Sequence, residues 1–163
     1  MGIFRLSLLL LGAVQASVST EISVSLDDRR FFLPSAYLNK LYFISRATFA
    51  SFGLARATCE SARGYVAEID NLVELIFLEN FLTRSDVAKV YVAGTDAAFD
   101  GRWVSQRTGA TRNVFDWSDG EPNNFNGQEE CIELIKSRQS RMNDIVCNNP
   151  LERPNVLCEI DLF

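Results

Sequence analysis

The chain predicts an α+β domain, because two helical patterns come first and short β runs separated by long loops follow. The first helical pattern covers residues 51–63, where Phe52, Ala55, Cys59 and Ala62 recur at intervals of three and four. Gly64 stands where a left-handed C-terminal residue belongs. In the second, Asn71 is placed to cap the first turn with Glu74 three positions on. Leu72, Leu75, Ile76, Phe77, Leu78 and Leu82 cover most of that helix's circumference, which predicts deep packing.

Ahead of the helices, residues 41–44 (Leu-Tyr-Phe-Ile) form a β-type run. After Asp86 the texture changes to β runs at 90–93, 102–105, 131–134 and 156–160, between loops rich in Gly, Asn, Asp and Pro. Residues 106–130 carry almost no periodicity, and a loop of that length inside a compact domain is usually functional or disordered. Phe115, Trp117 and Phe125 favour an ordered loop with a core of its own, and Trp103 and Trp117 read as core residues.

Residues 1–16 read as a secretory leader. Arg5 supplies the positive region, residues 6–14 the apolar stretch, and Ala16-Ser17 the cleavage point. The apolar stretch is too short to span a bilayer, and no later segment approaches the roughly 20 apolar residues a spanning helix needs. Residues 17–39 then form a short polar extension, expected to be a loosely ordered arm, and residues 40–163 the domain. Loss of Arg5 moves the formal net charge from −5 to −6 (−5 − 1). Such an acidic chain without a basic cluster argues against nucleic acid and anionic membranes as partners.

Four cysteines in a secreted chain imply two disulfides, with three connectivities open from arithmetic alone. A cysteine-based zinc site lacks a CxxC pair and any histidine. The absence of histidine also removes Ser-His-Asp and Cys-His nucleophile pairs and His general bases. Only a carboxylate-based glycosidase would survive as an enzyme, and the acids best placed for it look committed to a metal, so the chain is not expected to be an enzyme.

That metal is Ca²⁺. Glu121, Glu129 and Asp144 offer carboxylates, and Asn123 and Asn143 offer amide oxygens, within a short span that holds Cys131 and Cys147. Calcium accepts six to eight oxygen ligands in irregular geometry, which suits such a mixture.

With these residues in view the sequence resembles the C-type lectin-like domain, in the short form of small secreted invertebrate lectins. The likeness runs from about residue 40 to 160. It is carried by Ala55 with Cys59, the segment from Gly64 to Ile69, Val92-Ala93-Gly94-Thr95-Asp96, Trp103, Trp117, Glu121-Pro122-Asn123, Asn143-Asp144 and the last three cysteines. The resemblance implies the C-type lectin-like fold, with two helices, small antiparallel sheets and a long Ca²⁺-binding loop. It implies pairing of Cys59 with Cys158 and of Cys131 with Cys147, and a cis bond before Pro122. It also implies primary Ca²⁺ coordination by Glu121, Asn123, Glu129, Asn143 and Asp144. The Glu-Pro-Asn order resembles the mannose-type arrangement, for sugars with equatorial vicinal hydroxyls such as mannose, N-acetylglucosamine or fucose. Those hydroxyls would be met by Glu121, Asn123, Glu129 and Asn143. Phe125 is placed either to stack on the sugar or to pack within its loop. Asp96, Asp100, Asn124 and Glu130 align with an auxiliary Ca²⁺ site, or are solvated surface acids and amides.

The function implied is secreted, Ca²⁺-dependent binding of microbial or host glycans in innate immunity, with self-association or a protein partner supplying avidity. The alternative is a lectin-like protein-interaction domain that works without sugar. Two departures stand out. Met142 replaces the tryptophan usual before Asn-Asp, which predicts a looser strand beneath the site, and the span from Glu129 to Asn143 is slightly long.

Overall fold

A computed structural model describes residues 29–162. The expected leader and residues 17–28 of the extension lie outside them. The elements run β1 (Ser35–Tyr37), β2 (Lys40–Ile44), α1 (Phe52–Ser61), β3 (Tyr65–Val66), α2 (Leu72–Arg84), β4 (Lys89–Thr95), β5 (Cys131–Ile135), β6 (Arg141–Ile145) and β7 (Asn155–Asp161). Strands connect in the order β1-β2-β7-β4-β5-β6, with β3 against β7. Pairing is antiparallel except between β4 and β7, so the sheet is mixed where small antiparallel sheets were expected. No helix among the described residues is long and apolar enough to cross a membrane.

The extension is ordered from Arg29 onward and is no loose arm over that stretch. Ser35–Tyr37 pairs with β2, and Phe31 is buried edge-on against Phe43 with ring centroids 4.8 Å apart. The run at 102–105 is not a strand, because Val104 makes only single bridges to Thr95 and Thr111.

Each helix starts on a side-chain cap, the second at the expected Asn71. Ser51 accepts from Leu54 N, and Asn71 accepts from Glu74 N at 2.9 Å. Glu74 reaches back to Asp70 N at 2.7 Å and also receives Lys40 Nζ at 2.8 Å and the Tyr42 hydroxyl. A helix cap thereby becomes the tie between α2 and β2. Lys40 pairs with Asp70 and Glu159 as well, and although burial alone would lower its pKa, these carboxylates raise it. The second helix is less deeply packed than its composition predicts. Leu75, Leu78 and Leu82 face the core, whereas Leu72, Val73 and Ile76 are 48–62% exposed.

The first helix ends with Arg63, not Gly64, in the left-handed region at φ 62°. Gly64 is needed for a different reason, since a Cβ there would lie 2.5 Å from the Glu159 carbonyl oxygen. Beside β4, Gln106 donates to Gly94 O at 2.8 Å and accepts from Gly94 N at 2.7 Å, pinning the start of the long loop where β4 shifts register.

The loop is held down by its aromatic residues. Trp103 and Trp117 lie 5.4 Å apart, and Phe115 stacks on Trp117 at 5.2 Å. Glu79 on α2 meets Asp116 of the loop, and burial followed by the Asp116 charge pushes Glu79 up to about 7. The native state thus holds this proton more tightly than the unfolded chain. The stabilisation is complete below the ordinary value of 4.5 and is lost as pH rises through about 7. Glu79→Gln is expected to flatten that decline when chemical denaturation is followed across the same pH range; an unchanged slope would contradict the pairing.

Candidate functional site

The site forms where the long loop crosses β6. Asp144 is 1% exposed, and its two carboxylate oxygens accept from Asn123 N at 3.1 Å and Asn124 N at 2.7 Å. The sequence places a charged residue at an inward β6 position because those loop amides have no strand to pair with. The bond between Glu121 and Pro122 is cis. After it Asn124 and Asn126 adopt left-handed conformations (φ 43° and 58°), which asparagine tolerates. Phe125 N donates to Glu129 Oε2 at 2.8 Å, and Asn124 Oδ1 accepts from Glu129 N at 3.2 Å, closing the turn on itself.

Both disulfides join the pairs expected, Cys59 with Cys158 and Cys131 with Cys147. The second ties the start of β5, two residues after Glu129, to the chain three residues past Asp144. Met142 is 1% exposed and doubly bonded to the loop, accepting from Ser118 N and donating to Asp116 O, both at 2.8 Å. The strand beneath the site pairs with β5 along its whole length, so the looseness expected from Met142 is not seen.

Among the described residues, no three acidic side chains form a ready metal cage. Asp144 is capped by loop amides, Glu129 by Phe125 N, and Glu121 Oε1 by Arg138 Nη1 at 2.7 Å. The donor set nevertheless fits a hard cation. Glu121 has a side chain only 5% exposed, and its Oε2 is buried with no hydrogen-bond partner among the described residues. Burial first, and beyond it the charges of Asp144 and Glu121, raise the pKa of Glu129, while the Phe125 N–H holds it down.

Of the auxiliary set, Asp100 Oδ1 accepts from Asn124 Nδ2 at 2.8 Å, and Asp96 Oδ2 accepts from Gly101 N at 2.8 Å. Burial, and beyond it the charges of Asp100 and Asp144, raise Asp96. Glu130 stays exposed. Phe125 is 66% exposed, so it does not pack inside its loop.

Two residues escaped the sequence reading. Arg138 bridges Glu121 Oε1 and Asn143 Oδ1, the latter at 3.0 Å. Glu133, 1% exposed on β5, accepts from Asn143 Nδ2 at 3.2 Å and thereby turns Asn143 Oδ1 outward. Burial pushes Glu133 up to about 7 against the pull of Lys89. The signal for Arg138 was the lengthened, basic β5–β6 connection; for Glu133 it was an acid inside a β run.

Residues 49–160 match the Lectin C-type domain family model. The chain belongs to this family. It is 33% identical over 113 residues to perlucin of Haliotis laevigata, covering 68% of this chain and 70% of perlucin. It is 32% identical over 109 residues to C-type lectin 37Db of Drosophila melanogaster, covering 66% of this chain and 71% of that protein. The carbohydrate-recognition domain of the mouse scavenger receptor C-type lectin has the same fold. Its TM-score is 0.67 at 22% identity, covering 78% of this chain and 93% of that one. Domains of this family are generally non-enzymatic carbohydrate binders and typically bind Ca²⁺.

The Cys131–Cys147 bridge closes a span of 16 positions, for which chain entropy gives about 3 kcal/mol. Replacing both cysteines by serine is expected to lower unfolding stability by about that amount in a denaturant titration. A loss below about 0.5 kcal/mol would show that the loop is held by other means.

Proposed function

We propose that the chain is a secreted, Ca²⁺-dependent carbohydrate-binding protein whose primary site takes mannose-type sugars. The observation that carries this reading is Glu121 Oε2, a buried carboxylate oxygen without a hydrogen-bond partner among the described residues, set beside Asn143 and a loop fastened to Asp144. A buried anionic oxygen in that state costs free energy that a bound cation would recover. Glu121, Asn123, Glu129, Asn143 and Asp144 would supply the ion with oxygen-only ligands, and Ca²⁺ would provide open positions for two vicinal hydroxyls. Each hydroxyl can donate to a carboxylate and accept from an amide, and the Glu-Pro-Asn order supports the equatorial geometry of mannose, N-acetylglucosamine or fucose. Asp96, Asp100 and Asn124 would form an auxiliary cation position, from which exposed Glu130 contributes less. Phe125, exposed at the loop tip, is placed to stack on a sugar face. The leader supports secretion.

One site on one sugar gives weak binding, with a millimolar constant equivalent to about −4 kcal/mol. Clustering on a glycan surface would raise it. The exposed Leu72, Val73 and Ile76 on α2 favour a second reading, a protein-interaction domain that works without sugar. Chromatography on mannose-agarose separates the two. Retention is expected only with Ca²⁺, with release by EDTA or by acid, because protonated carboxylates are poor ligands. Glu121→Gln is expected to abolish it. Binding to a partner that ignores both chelator and substitution would favour the second reading.

A further inference from the structure

The residue that meets Glu121 and Asn143 belongs to the chain itself. Arg138 closes a 3-10 turn (Lys136–Arg138) in the β5–β6 connection, and two successive left-handed residues follow it, Gln139 at φ 63° and Ser140 at φ 61°. The turn is anchored from four sides. Lys136 N donates to Ala88 O at 2.8 Å, and Lys136 Nζ donates to Ser85 O. Ser140, fully buried, donates its N–H to Ile135 O at 3.0 Å and shares a hydrogen bond with Thr83 Oγ1 at 2.8 Å. Non-glycine residues in left-handed conformations persist only where surrounding contacts fix them, so Arg138 is a delivered side chain, not a wandering surface arginine. Its side chain is 46% exposed, and its Nη1 still ends 2.7 Å from Glu121 Oε1 and 3.0 Å from Asn143 Oδ1.

We infer that Arg138 is a specificity-determining residue that selects saccharides bearing an anionic group next to the hydroxyl pair, a hexuronate above a neutral hexose. The inference rests on the calcium-dependent reading of this site. Glu121, Glu129 and Asp144 carry three negative charges and a divalent ion neutralises two, so without Arg138 the centre would repel an acidic sugar by one unit (−3 + 2 = −1). Arg138 brings the sum to zero. It also supplies a planar, permanently charged donor whose fork matches a carboxylate or sulfate better than an ammonium would. A sugar on Glu121 and Asn143 lies within reach of the guanidinium, since both side chains are already its partners. The same contact has a second consequence. Calcium must take Glu121 and Asn143 from Arg138, so the arginine weakens the ion's hold until an acidic ligand gives the guanidinium another anion.

D-mannuronate and D-mannose isolate the effect, because they share ring configuration and differ by the carboxylate. Both are titrated into the oxidised protein at saturating Ca²⁺, for the wild type, Arg138→Gln, Arg138→Lys and Arg141→Gln. The last removes one positive charge from the start of β6, just past the same connection, where Arg141 pairs with Asp116 and Asp119. The wild type and Arg141→Gln are expected to prefer mannuronate by about ten-fold, the effect of one charge-assisted hydrogen bond, and Arg138→Gln to show a ratio near one. Arg138→Lys is expected to fall between them. Calorimetry without sugar supplies an independent reading, in which Arg138→Gln binds Ca²⁺ about three- to ten-fold tighter. Mannose binding with no mannuronate preference in the wild type, or a preference untouched by Arg138→Gln, overturns this inference alone. A tighter Ca²⁺ constant in Arg138→Gln with an unchanged sugar ratio makes Arg138 a latch and likewise overturns it. A wild type that binds Ca²⁺ and neither sugar overturns the mannose-type reading as well.

Discussion

The arrangement depends on one buried carboxylate. Asp144 faces inward from β6, and both its oxygens are taken by backbone N–H groups of the loop that follows Pro122. A loop without strand pairing has to satisfy its amides elsewhere, and an ionised acceptor roughly doubles what a neutral hydrogen bond gives. That single attachment sets the depth of Asn123 and Asn124 over the sheet, and the neighbouring Glu129 and Glu121 then have little freedom. Behind it the Cys131–Cys147 bridge and the buried Met142 keep β6 from sliding. The site's geometry is therefore a property of the sheet, transmitted to the loop by charge.

The acids so gathered repel one another, and groups of the chain itself meet most of their oxygens. Arg138 takes one oxygen of Glu121 and the amide oxygen of Asn143, loop amides take Asp144 and Glu129, and one Glu121 oxygen is left over. Elsewhere the chain uses a related solution. Glu74 and Glu159, almost fully buried, converge on Lys40, and Glu68 is held by Arg107 at 2.9 Å. The first cluster is a strut between α2, β2 and β7, and the second ties the segment after β3 to the long loop. Among the described residues Glu121 Oε2, like Glu79 Oε1 and Glu133 Oε2, is buried without a hydrogen-bond partner, and of these three acids only Glu121 stands beside Asn123 in the turn fastened to Asp144.

Much of this was legible in the sequence, for local reasons. Asn71 announces its helix because an N-cap acts within one turn, and the Glu-Pro-Asn and Asn-Asp segments, picked out for their oxygen atoms, do meet where the loop crosses β6. What failed depended on distant contacts. Gly64 looked like a left-handed cap, but its requirement comes from the Glu159 carbonyl across the sheet. The outer residues of α2 looked buried because composition cannot say which side of an apolar helix finds a partner. The strand β6 was expected only from the family resemblance, since Arg-Met-Asn-Asp-Ile has no β signature of its own and its inward Asp144 meets the loop, not the core. Arg138 was signalled only by a lengthened, basic connection, because its position needs two left-handed residues and an anchor on α2, neither of which is a motif.

The central claim, that loop and strand oxygens converge on a cation, is tested most directly by equilibrium dialysis of the oxidised protein against radioactive Ca²⁺. The wild type should take up Ca²⁺ saturably, and Asp144→Asn, in which the loop loses its charged anchor, should lose that uptake while retaining both disulfides. No saturable uptake by the wild type at millimolar Ca²⁺, or equal uptake by both proteins, would contradict the account.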